Sequence, residues 1–362
     1  MVTEAADRIR TRRDRSAPIT VLCAPPGYGK QRQLTALWNE ERAQGPSLFL
    51  DRLDHLADPR VAATAIVDQP ELPSVFINDV GACDTQQLGL AIDRLVRTGS
   101  GPRVFLAMNA SSCMDLGAHR SAGAVEWIGA DILALGDPEL RAQFGKIGRT
   151  DARKRLAAIA GRWPIAADML VDWALRTSEW SPGITDSDIL HETGLFEFVR
   201  TRIWADLSNE ERAALNRAAM LTEPRRSLLH NQVGHDVLLT RLAITLNGLV
   251  RRSDDLIELN PVIRQFALEQ TRLEAPRSQA STMAELADLC SAHGELSDAA
   301  RLASAAGQPD KIAQIAEQHG ALLIWVNCGF AELQSLVENA GEDVIARSAV
   351  LRMMRCIVGL KL

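Results

Sequence analysis

A short apolar run, Ile19-Thr20-Val21-Leu22-Cys23, leads without a break into Ala24-Pro25-Pro26-Gly27-Tyr28-Gly29-Lys30-Gln31. This junction constrains the fold more than any other stretch of the chain. A strand with no polar face must be covered on both sides, which is the environment of an inner strand in a parallel sheet. Lys30 to Arg42 then carries Leu34, Leu37 and Trp38 at helical spacing. A strand, a glycine-containing loop and a lysine at a helix start make an anion cradle. The glycines let successive backbone N–H groups point at phosphate oxygens, the helix N-terminus adds partial positive charge, and the lysine supplies a point charge. The lysine stands out because the chain has five lysines against 35 arginines. Against the pattern G-x-x-x-x-G-K-[ST], Ala24 takes the first glycine position and Gln31 takes the hydroxyl position. The second departure matters more, since that hydroxyl normally holds Mg²⁺. The plainer reading is a strand-to-helix turn that happens to contain Gly and Lys.

Further strands are predicted at Ser47–Leu50, Ser74–Ile77, Arg103–Met108 and, more weakly, Ile132–Leu135, with a helix over Thr85–Arg97. Strands alternating with helices predict an α/β domain: a parallel sheet with helices on both faces. It is assigned residues 1–136. From Asp137 the β signal fades. Helices are predicted over Glu139–Ala160, Ala166–Leu175, Phe196–Met220 and Val237–Val250, then a short hairpin through Leu256–Leu259. Residues 137–195 read as a helical lid and 196–275 as a winged-helix-like module. Residues 276–362 are Ala/Leu-rich, and units beginning at Gly294 and Gly329 lie 35 residues apart, near the ~34-residue tetratricopeptide period. The sequence thus predicts incomplete TPR-like helical repeats.

Composition excludes several classes. With 46% hydrophobic and 24% charged residues the chain is an ordinary globular one. A net charge of −6 argues against a general nucleic-acid coat. No apolar run reaches the ~18–20 residues of a membrane span, and the polar N-terminus lacks a secretory h-region, so a cytoplasmic location is expected. The six cysteines are isolated, with no zinc or redox spacing, and read as reduced, mostly buried thiols; no metal-ligating motif appears among the histidines either. Arg8, Arg10, Arg12, Arg13 and Arg15 read as a solvated basic face.

A phosphate site of this kind needs an acid at the end of another buried strand. Val75-Phe76-Ile77-Asn78-Asp79 fits, with Asp79 as the candidate for orienting metal or attacking water. Asn78 brings no charge.

Together these motifs resemble the N-terminal portion of the MalT-like, LuxR-type ATP-dependent transcriptional regulators, signal-transduction ATPases with numerous domains (STAND). The loop is similar to that family's A-P-x-G-Y-G-K-T-T, in which Ala24 is ordinary but Gln31 and Arg32 replace two threonines. Ile77-Asn78-Asp79 aligns with the family's hydrophobic-Asp-Asp segment. Asn109 stands where the family has a sensor arginine. Gly161-Arg162-Trp163-Pro164 resembles its G-W-P-A segment, whose proline lies near adenine. Asn260 takes the histidine position of its H-P-L-x-R-x-F segment. The resemblance implies ATP or ADP binding, with Pro26, Gly27, Tyr28, Gly29, Lys30, Gln31 and Arg32 around the phosphates and Pro164 at the base. It also implies Mg²⁺, although Gln31 and Asn78 weaken that site. Gln31, Asn78, Asn109 and Asn260 all replace groups that would touch metal, phosphate or water, so the expectation is a nucleotide-dependent switch with weak or absent hydrolysis. Family members continue to a C-terminal helix-turn-helix. No direct DNA-binding domain is recognisable here, so partners are expected to be the nucleotide, a second copy, or a protein bound by the helical repeats. Two alternatives stay open: a degenerate pseudo-ATPase scaffold and an active P-loop ATPase.

Overall fold

The structure is a computed structural model that describes residues 7–9, 11, 17–50, 72–78, 85–109, 116–177, 183–230, 235–273 and 276–361. Five parallel strands form one sheet: β1 (Ile19–Cys23), β2 (Ser47–Leu50), β3 (Ser74–Ile77), β4 (Arg103–Met108) and β5 (Val125–Ile128), in the order β2-β3-β4-β1-β5. β1 is interior and buried at all five positions, as its unbroken apolar character requires.

Alternation along the strands separates two faces. Ile19, Val21 and Cys23, with Val75, Ile77, Val104, Leu106 and Met108, form one core with Leu88, Ile92 and Leu95 of helix Thr85–Thr98. On the other face Phe49, Phe76 and Phe105 stack across three strands, with ring centroids 6.3 and 4.3 Å apart. Trp38 of helix Lys30–Arg42 continues that ladder at 5.3 Å from Phe49. Helices therefore cover both faces, each burying an apolar stripe against aliphatic or aromatic side chains.

The fifth strand differs from the sequence expectation. Ile132–Leu135 is not a strand; Ala130–Leu133 is a buried helical turn, and Val125-Glu126-Trp127-Ile128 pairs with β1 instead. β5 lies at the sheet edge, where Glu126 and Trp127 are only half-buried, so it lacks the continuous apolar run that marks an inner strand. Two long predicted helices are also broken. Glu139–Ala160 becomes Asp137–Phe144 and Thr150–Ala160 around Gly145 and Gly148. Phe196–Met220 becomes Leu195–Arg202, a 3₁₀ turn Trp204–Asp206, and Asn209–Met220, restarted by a Ser208/Glu211 capping box. The predicted helix Val237–Val250 is His235–Thr245, and Val250 opens the hairpin Val250–Ser253/Leu256–Leu259.

The chain divides into two compact units: residues 1–207 with 240–251 and 259–263, and residues 208–239 with 252–258 and 264–362. The second unit is almost wholly helical. Its helices Leu296–Ala305 and Phe330–Ala340 begin 34 positions apart, each after a glycine in positive φ, Gly294 and Gly329. Asp298, almost fully buried, accepts hydrogen bonds from the Thr222 N–H and hydroxyl, both 2.7 Å, and pairs with Arg301 at 2.6 Å. No described helix is long and apolar enough to cross a membrane. Cys23 and Cys290 are buried as expected, but Cys328 and Cys356 are exposed; Cys83 and Cys113 lie outside the described residues.

Candidate functional site

The connections from β1 and β4 fix where a ligand can sit. β1 and β4 are neighbours, yet the chain leaves β1 for the far edge at β2 and leaves β4 past β1 to the opposite edge at β5. Oppositely directed connections open a crevice beyond the carboxyl ends of the two strands, where open α/β sheets bind ligands. Residues 24–29 lie at the mouth of that crevice. The Ala24 N–H donates to the Met108 carbonyl at 3.3 Å, extending the β1–β4 pairing by one residue.

The loop then turns through two positive-φ residues, Gly27 at 84° and Gly29 at 72°. Gly29 occupies the N-cap of helix Lys30–Arg42, where no side chain caps the free N–H groups. Gly27 is required for a second reason. A Cβ there would overlap Ile165 and lie 2.7 Å from the Trp163 indole nitrogen. This contact comes from residues 163–165, in the segment that the sequence reads as a lid. The Ile165 N–H donates to the Gly27 carbonyl, and Trp163 Nε1–H donates to the Pro26 carbonyl, both at 3.1 Å. Trp163 is fully buried and edge-on to Phe198, so its indole is a rigid strut between loop and lid. Pro164 opens helix Pro164–Arg176, with φ preset for a first helical turn.

A cavity of about 590 Å³ lies against this loop, within the usual range for small-molecule sites. Pro26, Gly27, Tyr28, Gly29, Lys30, Gln31, Arg32 and Pro164 all line it, so the structure gathers these sequence candidates in one place. Asp79 lies outside the described residues. Asn78 lines the cavity and is buried, and Asn109 lines it from the end of β4.

Lys30 is already engaged. Its ammonium donates to the Ala24 carbonyl (2.6 Å), the Pro25 carbonyl (2.9 Å) and Asn109 Oδ1 (3.0 Å). A ligand phosphate must therefore share or displace these contacts. Tyr28, the chain's one tyrosine, is buried. Burial pushes its phenol well above the usual value, opposed in part by the charge of Arg251. A side chain at Gly248 would overlap the Tyr28 hydroxyl, so the ring anchors the loop, and only the Tyr28 backbone is placed to serve a phosphate.

Several lining residues carried no sequence signal. Leu133, Leu135 and Phe198 supply an apolar wall beside Pro164 and Ile165. Gln143, buried, donates to Asp168 Oδ1 at 2.5 Å. Glu139, also buried, accepts from the Gly136 N–H at 2.6 Å and pairs with Arg8 at 2.7 Å. Arg8 further donates to the carbonyls of Ile132 (3.1 Å) and Ala134 (2.8 Å). This corrects the reading of Arg8 as part of a solvated face; its guanidinium donors satisfy carbonyls that no local pattern announces. Asn260 bonds away from the cavity. It accepts from the Val262 N–H at 3.0 Å, capping helix Pro261–Leu273, and donates to the Ala160 carbonyl at 3.3 Å.

Gln31 and Asn78 present neutral amides to the cavity, and among the described residues no cluster of three or more His, Cys, Asp or Glu side chains is placed to hold a metal.

No family model and no curated protein matches the chain. Among solved structures, it is similar to a STAND protein with a tetratricopeptide repeat sensor from Pyrococcus horikoshii, at 12% identity and a TM-score of 0.34 over 98% of this chain. The chain spans 55% of that protein's length. A Thermotoga maritima RuvB variant matches at 15% identity and TM-score 0.37, over 71% of this chain and 89% of that one. AMPPCP-bound DnaA from Aquifex aeolicus matches at 13% and 0.36, over 76% and 88%. Superposition at this level is too loose to carry a function across, so the function has to come from this chain's own residues.

Proposed function

We propose that this chain is an ATP- or ADP-binding regulatory switch, similar to the signalling-ATPase portion of a LuxR/MalT-type regulator, with hydrolysis weak or absent. The observation that carries this reading is the β1–loop–helix junction. Two positive-φ glycines and Lys30 face a cavity of nucleotide size at the carboxyl edge of a parallel sheet. Phosphates would take the backbone N–H groups of Gly27 to Lys30 and the Lys30 ammonium, while the base would lie toward Leu133, Leu135, Pro164 and Ile165. Because Trp163 and Ile165 hydrogen-bond the loop directly, a nucleotide that moves the loop moves the lid. That is the coupling a switch needs, provided two nucleotides bind its two states unequally. Weak hydrolysis follows from Gln31 and Asn78, whose neutral amides bring neither negative charge for a metal nor a base. The winged-helix-like and TPR-like modules belong to the same proposal, supported by the hairpin at 250–259 and the helix starts 34 positions apart.

Calorimetry with ATP and ADP, on wild type and Lys30→Ala, tests the reading. Binding near micromolar, about −8 kcal/mol, and lost in the variant is the expected result. A folded wild type that binds neither nucleotide would overturn it. That outcome would favour a non-binding scaffold, for which the three protein acceptors already held by Lys30 are the supporting observation.

A further inference from the structure

We infer that phosphate charge at this site is neutralised by two arginines, Arg202 and Arg32, in place of a divalent cation. The inference rests on the nucleotide reading above and goes beyond it by naming how the ligand's charge is held.

A nucleoside di- or triphosphate carries several negative charges into a partly enclosed site. Without compensation, desolvation makes that costly. The residues that would seat a metal are the amides of Gln31 and Asn78, which are neutral. Among the described residues three cations line the cavity: Lys30, Arg32 and Arg202. Lys30 is committed to two carbonyls and Asn109.

The other two differ. Arg32 lies in the first turn of helix Lys30–Arg42, next to the loop, and Arg202 is the last residue of helix Leu195–Arg202. Both are exposed toward the cavity, and neither makes a hydrogen bond or ion pair with another described residue. Arg8, Arg155 and Arg301 illustrate the contrast: each is held by a carboxylate and at least one carbonyl.

The cavity's acids do not cancel this charge. Glu139 is taken by Arg8 and the Gly136 N–H, and Asp168 accepts from Gln143. Asp206 also lines the cavity, four residues after Arg202, and among the described residues it and Asp168 are the acids that compete for the arginines. A guanidinium binds phosphate oxygens in bidentate fashion and stays charged at any working pH. Two of them facing the loop from different helices do the electrostatic work of a metal and bring their own geometry.

The test measures ADP and ATP affinity on the full chain in Mg²⁺ and in EDTA, for wild type, Arg202→Gln and Arg32→Gln. Both arginines are exposed, so both variants should melt at the wild-type temperature. Wild-type affinity should change by less than threefold between the two buffers. Each variant should bind at least tenfold more weakly in EDTA, with the loss larger for ATP than for ADP. Mg²⁺ that tightens wild-type binding by more than threefold would overturn this inference and leave the nucleotide reading intact. So would variants that bind within twofold of wild type. Failure of folded wild type to bind in either buffer would overturn both.

Discussion

Replacing Gly27 with alanine tests the contact between the loop after β1 and residues 163–165 of the proposed lid. The position has φ of 84°, and holding an L-residue there costs about 1–2 kcal/mol. The added methyl also overlaps Ile165 and crowds the Trp163 indole nitrogen at 2.7 Å. Relief requires the lid segment to back away, which stretches the Trp163–Pro26 and Ile165–Gly27 hydrogen bonds, worth about 1 kcal/mol each. The total is about 3–4 kcal/mol. Gly29 is an internal control. Its φ of 72° carries the same backbone cost, but a Cβ there meets nothing within 4 Å, so Gly29→Ala should lose only about 1–2 kcal/mol. Urea unfolding followed by tryptophan fluorescence is a suitable assay, since Trp38, Trp127, Trp163, Trp173 and Trp204 all lie in the unit containing the loop. Ile165→Ala in the Gly27→Ala background should recover the part of the clash due to Ile165 Cγ2 and leave the backbone part and the Trp163 contact. Equal destabilisation by Gly27→Ala and Gly29→Ala would refute the argument, because it would mean that no close approach exists at Gly27.

Three further outcomes are expected. Asp298→Ala should destabilise the helical unit by about 3 kcal/mol in denaturant melts followed by circular dichroism, because it removes two charge-assisted hydrogen bonds to Thr222 and leaves Arg301 without its carboxylate. Asp188 is held below the usual carboxylate range by hydrogen bonds from the Thr185 side chain and backbone. A depressed folded-state value means its contribution is present above about pH 3.9 and lost as pH falls through the lower value. An NMR titration should show that value rise toward normal in Thr185→Ala. The Cys290 thiol is pushed up to about 12 by burial and by the charge of Asp298. At pH 8 the native protein should therefore show the same fast thiol titre in wild type and Cys290→Ser, and the two should differ by one thiol only in denaturant.

The lesson of the site is uneven legibility. β1, the loop after it and the helix from Lys30 were readable to the residue, because an inner strand has to be apolar throughout and the tight turn into a helix takes glycines at its positive-φ positions. β3 and β4 were legible for the same reason, and β2, although an edge strand with half-buried positions, keeps the apolar run Leu48-Phe49-Leu50. β5 was not: an edge strand is half-exposed, so Val125–Ile128 carries no unbroken apolar signal, while the buried turn at Ala130–Leu133 imitates one. The helix break at Gly145 was passed over, and so was the one at Ser208, although Ser208-x-x-Glu211 is a capping-box pattern that a sequence can show. Pro164 was placed at the site through a resemblance. Its neighbour Trp163 proved to be the residue that binds the loop, through an indole N–H that no pattern reports.

By itself the sequence determined the parallel α/β core and the glycine-turned loop before the helix at Lys30, since both depend on short-range chemistry: burial of a continuous strand and the backbone freedom of glycine. Only the tertiary structure decided what faces that loop. Lys30 meeting Asn109, Arg8 closing on Glu139, and Arg32 and Arg202 left exposed beside Pro164 all bring together residues from separate parts of the chain. Such pairings are set by how helices dock on the sheet, and the energy that selects them comes from burying apolar surface around the polar groups. The polar partners themselves therefore leave no periodic trace in the sequence.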